Sequence, residues 1–351
     1  MAEAKRNRVR DERMRRGWSQ ERLAEQAGLS RAEVSAVETG RVVPSVAGGL
    51  ALAGALECTV EQLFGVRLSE SRAGHAWAWP PGRERRYWLA SAGGRVLRYP
   101  VEATAVGVLP HDGVEGGRAR EGGGMPEADP ARTLVVAGCD PAIGLLVSAL
   151  ARARVRLLPL LRSSGRALGL LQQGLVHVAG VHLGDERAGN ARVVRAALGP
   201  DHRRVHVARW TEGLALAPGL RHRTIASAVR ARLRWVGREE GSGARRCMDL
   251  ILQGRRPTPE GCAYTASDHR GVVETIRTGW AQAGVCVQLV AAEGGLDFLP
   301  ARREDYDLCF PAELEDDARV LALVDAMRSQ AFVRVLRGLP GYDVRHTGEL
   351  A

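Results

Sequence analysis

The chain reads as multi-domain: an all-α bundle with a helix-turn-helix layout at the N-terminus, followed by a two-lobed α/β domain. Three observations predict this. The first seventy residues are short helix-forming runs, each opened by a capping residue or closed by a glycine. From Thr133 onward, apolar strand runs alternate with helical ones over more residues than one sheet needs. Between them the sequence is rich in proline and glycine. The expected boundaries are 1–68 for the bundle, 69–130 for a linker with a β-hairpin, and 131–351 for the α/β domain.

Composition narrows the function classes. With 351 residues, 45% hydrophobic and 26% charged, the chain can bury two or three cores. Its net charge of +10 favours a polyanionic partner. Lys5 is the only lysine, so the positive charge is almost all arginine, which reflects base composition as much as selection. Six scattered cysteines without a CxxC pair read as reduced thiols in a cytosolic protein. The charged opening MAEAKRNRVRDERMRR argues against a secretory signal. No apolar run approaches the ~20 residues of a membrane span, so a cytoplasmic chain without a membrane partner is expected.

In the bundle, positions 6 to 15 are helix-forming and Gly17 ends them. Ser19 caps a second helix, whose Leu23, Ala24 and Ala27 share one side. Ala27-Gly28-Leu29 makes the turn, with glycine permitting the reversal. Ser30 caps a third helix, with Glu33 at capping-box spacing. Val34 and Val37 face inward, so Ala32, Ser35, Ala36 and Thr39 face outward. Arg31 can reach a base edge or a phosphate from the helix start. Gln20 and Ser30, at helix N-termini, are placed for phosphate oxygens, and Arg41 follows as a backbone contact. Ser45 caps a fourth helix, and TVEQLFG closes the bundle.

Residues Arg6 to Gly65 resemble the phage-repressor or XRE-type helix-turn-helix family through SQERLAEQAGLS, VETGR, the Pro44-Ser45 restart and EQLFG. The resemblance implies double-stranded operator DNA as partner, contacted through Gln20, Ser30, Arg31, Ala32, Ser35, Ala36 and Arg41, and a homodimer on a two-fold site. Ala32 and Ala36 stand where the family often carries longer polar readers. They can touch a thymine methyl, which leaves discrimination to Arg31 and Ser35.

Beyond the bundle, SESRAGHAWAWPPGRERR reads as a connector, and RRYWLASAGGRVLRYP as a hairpin about Gly93-Gly94. Residues 115–130 read as a flexible glycine-rich stretch. Trp77, Trp79, Tyr87 and Trp88 are expected to pin the hairpin to a neighbour rather than to stack on bases. In the α/β part, polar or glycine residues recur where strands hand over to helices: Cys139-Asp140, Ser163-Ser164-Gly165, Glu240-Gly241-Ser242-Gly243 and Ser267-Asp268-His269. Each alone is an ordinary cap or turn. Together they predict a cleft at the carboxyl ends of strands, where free N–H groups favour an anion.

The same region resembles the periplasmic-binding-protein-like domain of type 2, molybdate-binding-like, in the form found behind a helix-turn-helix. GCDPAIGLL, SSGRALGLLQQGLVHVAGVHLGD, REEGSGARRCMDLIL, SDHRGVVETIRTGWAQAGV and LDFLPARREDYDLCFP carry the resemblance. It implies a clamshell holding a small anionic ligand, such as an oxyanion, through Asp140, Ser163, Ser164, His182, Ser242, Arg245, Asp268 and His269. Trp280 is bulky where relatives are small, and bears on ligand size.

Other constellations are weaker. His177 and His182 would face opposite ways on a strand, so no metal site is expected. A Ser242–His269 triad lacks a GxSxG elbow, and no Walker A or GxGxxG motif points to a cofactor. The expected function is therefore a one-component transcription regulator with no enzymatic step. The alternatives are an enzyme or accessory protein of molybdenum-cofactor metabolism, and a ligand-independent architectural DNA-binding protein.

Overall fold

In a computed structural model, the described residues are 7–56, 58, 60–64, 75–83, 85–115, 129–184, 187–254, 262 and 264–351. Most of the expected glycine-rich stretch and part of the connector, with Thr59 and Gly65, lie outside them. The chain forms two compact units, Met1–Gly74 and His75–Ala351.

The first unit holds α1 (Val9–Arg15), α2 (Gln20–Ala27), α3 (Arg31–Glu38), α4 (Val46–Ala55) and α5 (Val60–Phe64). Ser19, Ser30 and Ser45 each accept a backbone N–H at the start of α2, α3 and α4. Gly28 takes a left-handed conformation (φ +63°) to close α2, which a side chain would resist. Val9, Leu23, Val34, Leu52, Leu56 and Leu63 form the core, and each aliphatic side chain buried this way contributes about 1.5–3 kcal/mol. A polar clasp reinforces it: Arg13 Nε donates to Glu38 at 2.6 Å, and Gln20 Nε2 donates to the same carboxylate at 2.8 Å.

The second unit opens with a small sheet of β1 (Ala76–Trp77), β2 (Arg86–Ala92), β3 (Arg95–Pro100) and β4 (Gly113–Val114), ordered β1-β3-β2-β4. Gly93 and Gly94, both at positive φ, make the hairpin turn. This hairpin is part of the larger unit rather than a linker. Trp88, Ala90, Leu97 and Tyr99 share a core with Val135, Leu158, Leu160 and Leu168. Tyr99 donates to the Leu175 carbonyl at 2.7 Å, and Arg156 forks onto Asp112. Trp88 is fully buried, while Trp77 and Trp79 pack edge-on against Tyr87 and Tyr99, so the aromatics pin the hairpin.

The remainder is one nine-stranded mixed sheet shared by both halves. In the first half, β5 (Thr133–Gly138), β6 (Arg156–Leu161) and β7 (Val178–Val181) run parallel with α6 (Ile143–Arg152), α7 (Ser164–Gln172) and α8 (Arg187–Leu198). Two long strands, β8 (His202–Leu216) and β12 (Asp297–Pro311), then pair antiparallel along their whole length. In the second half, β9 (Trp235–Arg238), β10 (Tyr264–Ala266) and β11 (Ala283–Val287) run parallel among α9 (Ile225–Arg230), α10 (Gly243–Leu252), α11 (His269–Arg277) and α12 (Gln288–Glu293). The sheet order is β10-β9-β11-β8-β12-β7-β5-β6. Thus β7 joins β12 near Pro311 and β11 joins β8 near Leu216, which puts the two halves at opposite ends of one antiparallel ribbon. Irregularities at Pro300/Arg302 and Tyr306/Asp307 interrupt the ribbon between them. The chain closes with α13 (Ala318–Arg328), α14 (Gln330–Arg337) and β13 (Tyr342–Asp343), which returns to pair with β8. The sequence pattern marks only GLALAPG of β8 as strand, because the charged His202–Glu212 stretch hides a buried alternation. No described helix is long and apolar enough to cross a membrane.

Candidate functional site

The site is a buried polar group assembled from the carboxyl ends of strands in both halves and from the middle of the ribbon. His182 follows β7 and stands at its centre. Its Nδ1 lies 2.9 Å from Glu304 Oε2, and its Nε2 lies 3.1 Å from Cys139 Sγ. Burial works against a charged ring, but Cys139 and Glu304 outweigh it and hold the His182 pKa well above the usual histidine value. Its main-chain N–H donates to Ser164 Oγ at 3.1 Å, which ties β7 to the start of α7. From the other half, α10 begins at Gly243 directly against the His182 ring, where any side chain would collide.

His269 opens α11. Arg238, at the end of β9, donates from Nη1 to His269 Nδ1 at 3.4 Å and is itself buried. An arginine can only donate, so His269 carries its hydrogen on Nε2. That Nε2 is buried and has no partner. Burial, followed by the charges of Arg238 and His182, pushes the His269 pKa well below the usual value, so the ring is neutral. Trp210 packs against both imidazoles, with its ring centroid 5.0 Å from His182 and 6.0 Å from His269. Its indole Nε1 is likewise buried and unpartnered, as is Ser163 Oγ at the N-cap of α7.

Below these donors lies an acidic pair on the ribbon. Glu304 is buried, which favours its neutral form, but the bond and charge of His182 and the nearby Arg302 outweigh that and keep its pKa low. Arg302 Nε approaches Glu304 Oε1 at 3.0 Å. Glu212, on the neighbouring strand, is fully buried, and neither of its oxygens has a hydrogen-bond partner. Burial and then Glu304 push its pKa up to about 8, so it holds a proton at neutral pH.

Two donor sets have the proximity of metal ligands: Cys139 with His182 and His269, and His182 with Glu212 and Glu304, each within 4.8 Å. The donor chemistry fits an anion better. His269 turns an N–H, not a lone pair, toward the group, both nitrogens of His182 are engaged, and Arg238 and Arg302 stand alongside. His177 belongs to neither set. It lies under the hairpin, where Nδ1 accepts from the Val135 N–H and Nε2 meets the Ser91 carbonyl.

Of the eight residues expected around the ligand, Asp140, Ser163, Ser164, His182, Ser242 and His269 are buried. Asp140 accepts from Tyr342 Oη at 2.6 Å and from the Ala142 N–H. Ser242 caps α10 and donates to the Glu239 carbonyl. The other two stand apart. Arg245 turns outward to pair with Asp249 at 2.9 Å, and Asp268 is a half-buried cap that accepts from the Gly271 N–H. Trp280 is also outside: it is exposed on the surface against Tyr264, so its bulk does not limit the buried group. Sequence reading does not single out Arg238, Trp210, Glu212, Arg302 or Glu304. Only Arg238 carries a signal, as a charge closing an apolar strand.

On the DNA-reading side, Arg31, Ala32 and Arg41 are exposed, and Ser35 and Ala36 half-exposed, on the outer face of α3 and the turn after it. Arg31 approaches Glu21 at 3.4 Å. Ser30 is held in its capping box with Glu33, and Gln20 in the clasp with Glu38, so both arrive at this face already bonded.

A helix-turn-helix head and a two-halved α/β unit, whose helix N-termini meet over a buried polar group, together define the class: a binding-protein domain fused to a DNA-reading domain. Residues 147–328 match the PBP superfamily domain and residues 9–63 match the helix-turn-helix model. The chain belongs to the PBP superfamily domain family and carries an XRE-type helix-turn-helix at its N-terminus. The uncharacterised Bacillus subtilis protein YvgK is 29% identical over 236 residues, 64% of this chain and 75% of that one. The uncharacterised HTH-type transcriptional regulator YgzD, also from B. subtilis, is 40% identical over 58 residues, 16% of this chain and 88% of that one. PhnD1 from Prochlorococcus marinus, solved in complex with methylphosphonate, aligns with a TM-score of 0.45 at 13% identity, covering 61% of this chain and 92% of that one.

Proposed function

We propose that the chain is a cytoplasmic transcription regulator that binds operator DNA as a dimer and senses a small oxyanion between the halves of its α/β unit. The observation that carries the ligand reading is a set of buried donors without acceptors: Ser163 Oγ, His269 Nε2–H and Trp210 Nε1–H, beside Arg238. Leaving one such group unmet costs about 1–3 kcal/mol, and an oxyanion would satisfy several at once. The start of α7 adds a dipole of the right sign. Molybdate, tungstate, phosphate and sulfate are the probes. At a hundredfold excess over its dissociation constant, the matching anion should stabilise the folded chain by about 2.7 kcal/mol. Ser163→Ala and His269→Ala should weaken that response at least tenfold in anion concentration. A melting temperature that none of the four moves beyond a chloride control of equal ionic strength defeats the proposal.

One feature favours an enzyme as the second reading. Cys139, His182 and Glu304 are linked in series, the connectivity of a nucleophile, a base and its orienting acid. All three are buried, with Gly243 closing over the imidazole. Turnover of a candidate metabolite that Cys139→Ser abolishes would favour this reading over sensing.

A further inference from the structure

The second half of the α/β unit carries a basic surface that the oxyanion reading does not use. Arg221, Arg223, Arg230, Arg232 and Arg234 are all exposed, on α9 and the segments flanking it. No acidic residue occurs in the chain between Glu212 and Glu239. Among the described residues, Arg221, Arg223, Arg230 and Arg232 have no ion-pair partner. Several surface arginines elsewhere pair with a neighbouring acid, as in Arg203–Glu315, Arg245–Asp249, Arg270–Glu293, Arg277–Glu274 and Arg345–Asp343, while others such as Arg166 and Arg195 do not among the described residues. What marks this patch is that five exposed arginines fall between positions 221 and 234 with no acid among them.

Its local geometry suits a charged backbone. Ala231 leaves α9 with an extended backbone, and Leu233 is buried between exposed Arg232 and Arg234, the alternation of an extended segment. Alternate residues of an extended strand lie about 6.6 Å apart, on the order of the distance between neighbouring phosphates of a nucleic-acid strand. Arg234 also donates to the Gly279 carbonyl at 3.1 Å, which places Trp280 beside the patch. Trp280 and Tyr264, 59% and 39% exposed, pack edge to face there and offer an apolar flank.

We infer that Arg221, Arg223, Arg230 and Arg232 form a second DNA contact, on which the α/β unit holds duplex phosphates while the helix-turn-helix reads the bases. Duplex DNA is the occupant because the same chain carries a helix-turn-helix DNA-binding domain and an acid-free cluster of arginines complements a phosphate backbone. The contact is independent of sequence and adds affinity and salt dependence rather than specificity.

The test uses the full chain and a random-sequence duplex, with affinity measured across a salt series. Replacing the four arginines together by glutamine should make the slope of log K against log salt shallower by about 0.9 for each phosphate no longer neutralised, hence by about 3–4. Low-salt affinity should fall by at least roughly tenfold. The same four positions changed to lysine should restore most of the slope, because a point charge still pairs with phosphate. An unchanged slope in a glutamine variant with unaltered melting temperature overturns the inference. A wild-type chain that fails to bind the duplex at low salt overturns it too. So does a variant that loses binding to vesicles containing phosphatidylserine while keeping the DNA slope, since the patch would then serve an anionic membrane.

Discussion

Glu212 shows how one side chain ties this site to pH. It is an acid with no hydrogen-bond partner in a fully buried position, and burial with Glu304 pushes its pKa up to about 8. The folded chain keeps this proton at pH values where the unfolded chain has released it. The resulting stabilisation is complete below the ordinary glutamate value and drains away as pH rises toward 8. Glu212→Gln removes the titration and keeps the shape. Its melting temperature relative to wild type should therefore climb by several degrees between about pH 5 and pH 8, as read by thermal unfolding in matched buffers. A constant difference across that range would place the titrating proton elsewhere. His269 has the opposite sign: its depressed pKa makes it a neutral donor whose contribution is lost as pH falls below the usual histidine value.

At the scale of elements, the start of α10 governs how the halves meet. Gly243 has no side chain, and this lets the helix N-terminus seat against His182, while Gly165 N–H reaches the Gly241 carbonyl across from α7 at 3.3 Å. A β-carbon at position 243 would run into the imidazole and the His182 carbonyl, neither of which can move without breaking the Glu304 and Cys139 contacts. Gly243→Ala should hold the halves apart. The expected result is at least a tenfold loss of oxyanion response with normal DNA binding, since the first unit folds on its own core. Small-angle scattering that finds the variant as compact as wild type when both are saturated with anion would refute this role. The long strands β8 and β12 serve both halves, and their pairing shifts register at Pro300/Arg302 and Tyr306/Asp307.

At the scale of the whole molecule, the proposed function gives the two units one ligand each, and any effect of one on the other must be reciprocal. If the oxyanion changes affinity for operator DNA, then operator DNA must change affinity for the oxyanion by the same factor. Titrating anion with and without a selected operator duplex measures both legs of the cycle. A coupling of about 1–3 kcal/mol is expected, and zero coupling would leave two independent binding functions on one chain.

Much of this molecule is legible in its sequence. The capping serines, Gly28, the α2–turn–α3 spacing and the polar strand-to-helix junctions are local signals, because a cap or a turn is settled by residues three or four apart. Sequence alone therefore determined the DNA-reading head, the α/β class and six of the buried polar residues. What only the tertiary structure decided is which distant groups meet. His182 and Glu304 are 122 positions apart, and nothing local pairs them. The register of β8 against β12 puts Glu212 opposite Arg302, and the crossing of both halves by these strands carries Glu304 under His182. Arg245 and Asp268 look equally fit in sequence, yet helix rotation sends one to Asp249 and capping occupies the other. The physical reason is that hydrogen bonds within a turn are fixed by the chain's own geometry, whereas contacts across a core are fixed by strand pairing and by which faces must be buried together.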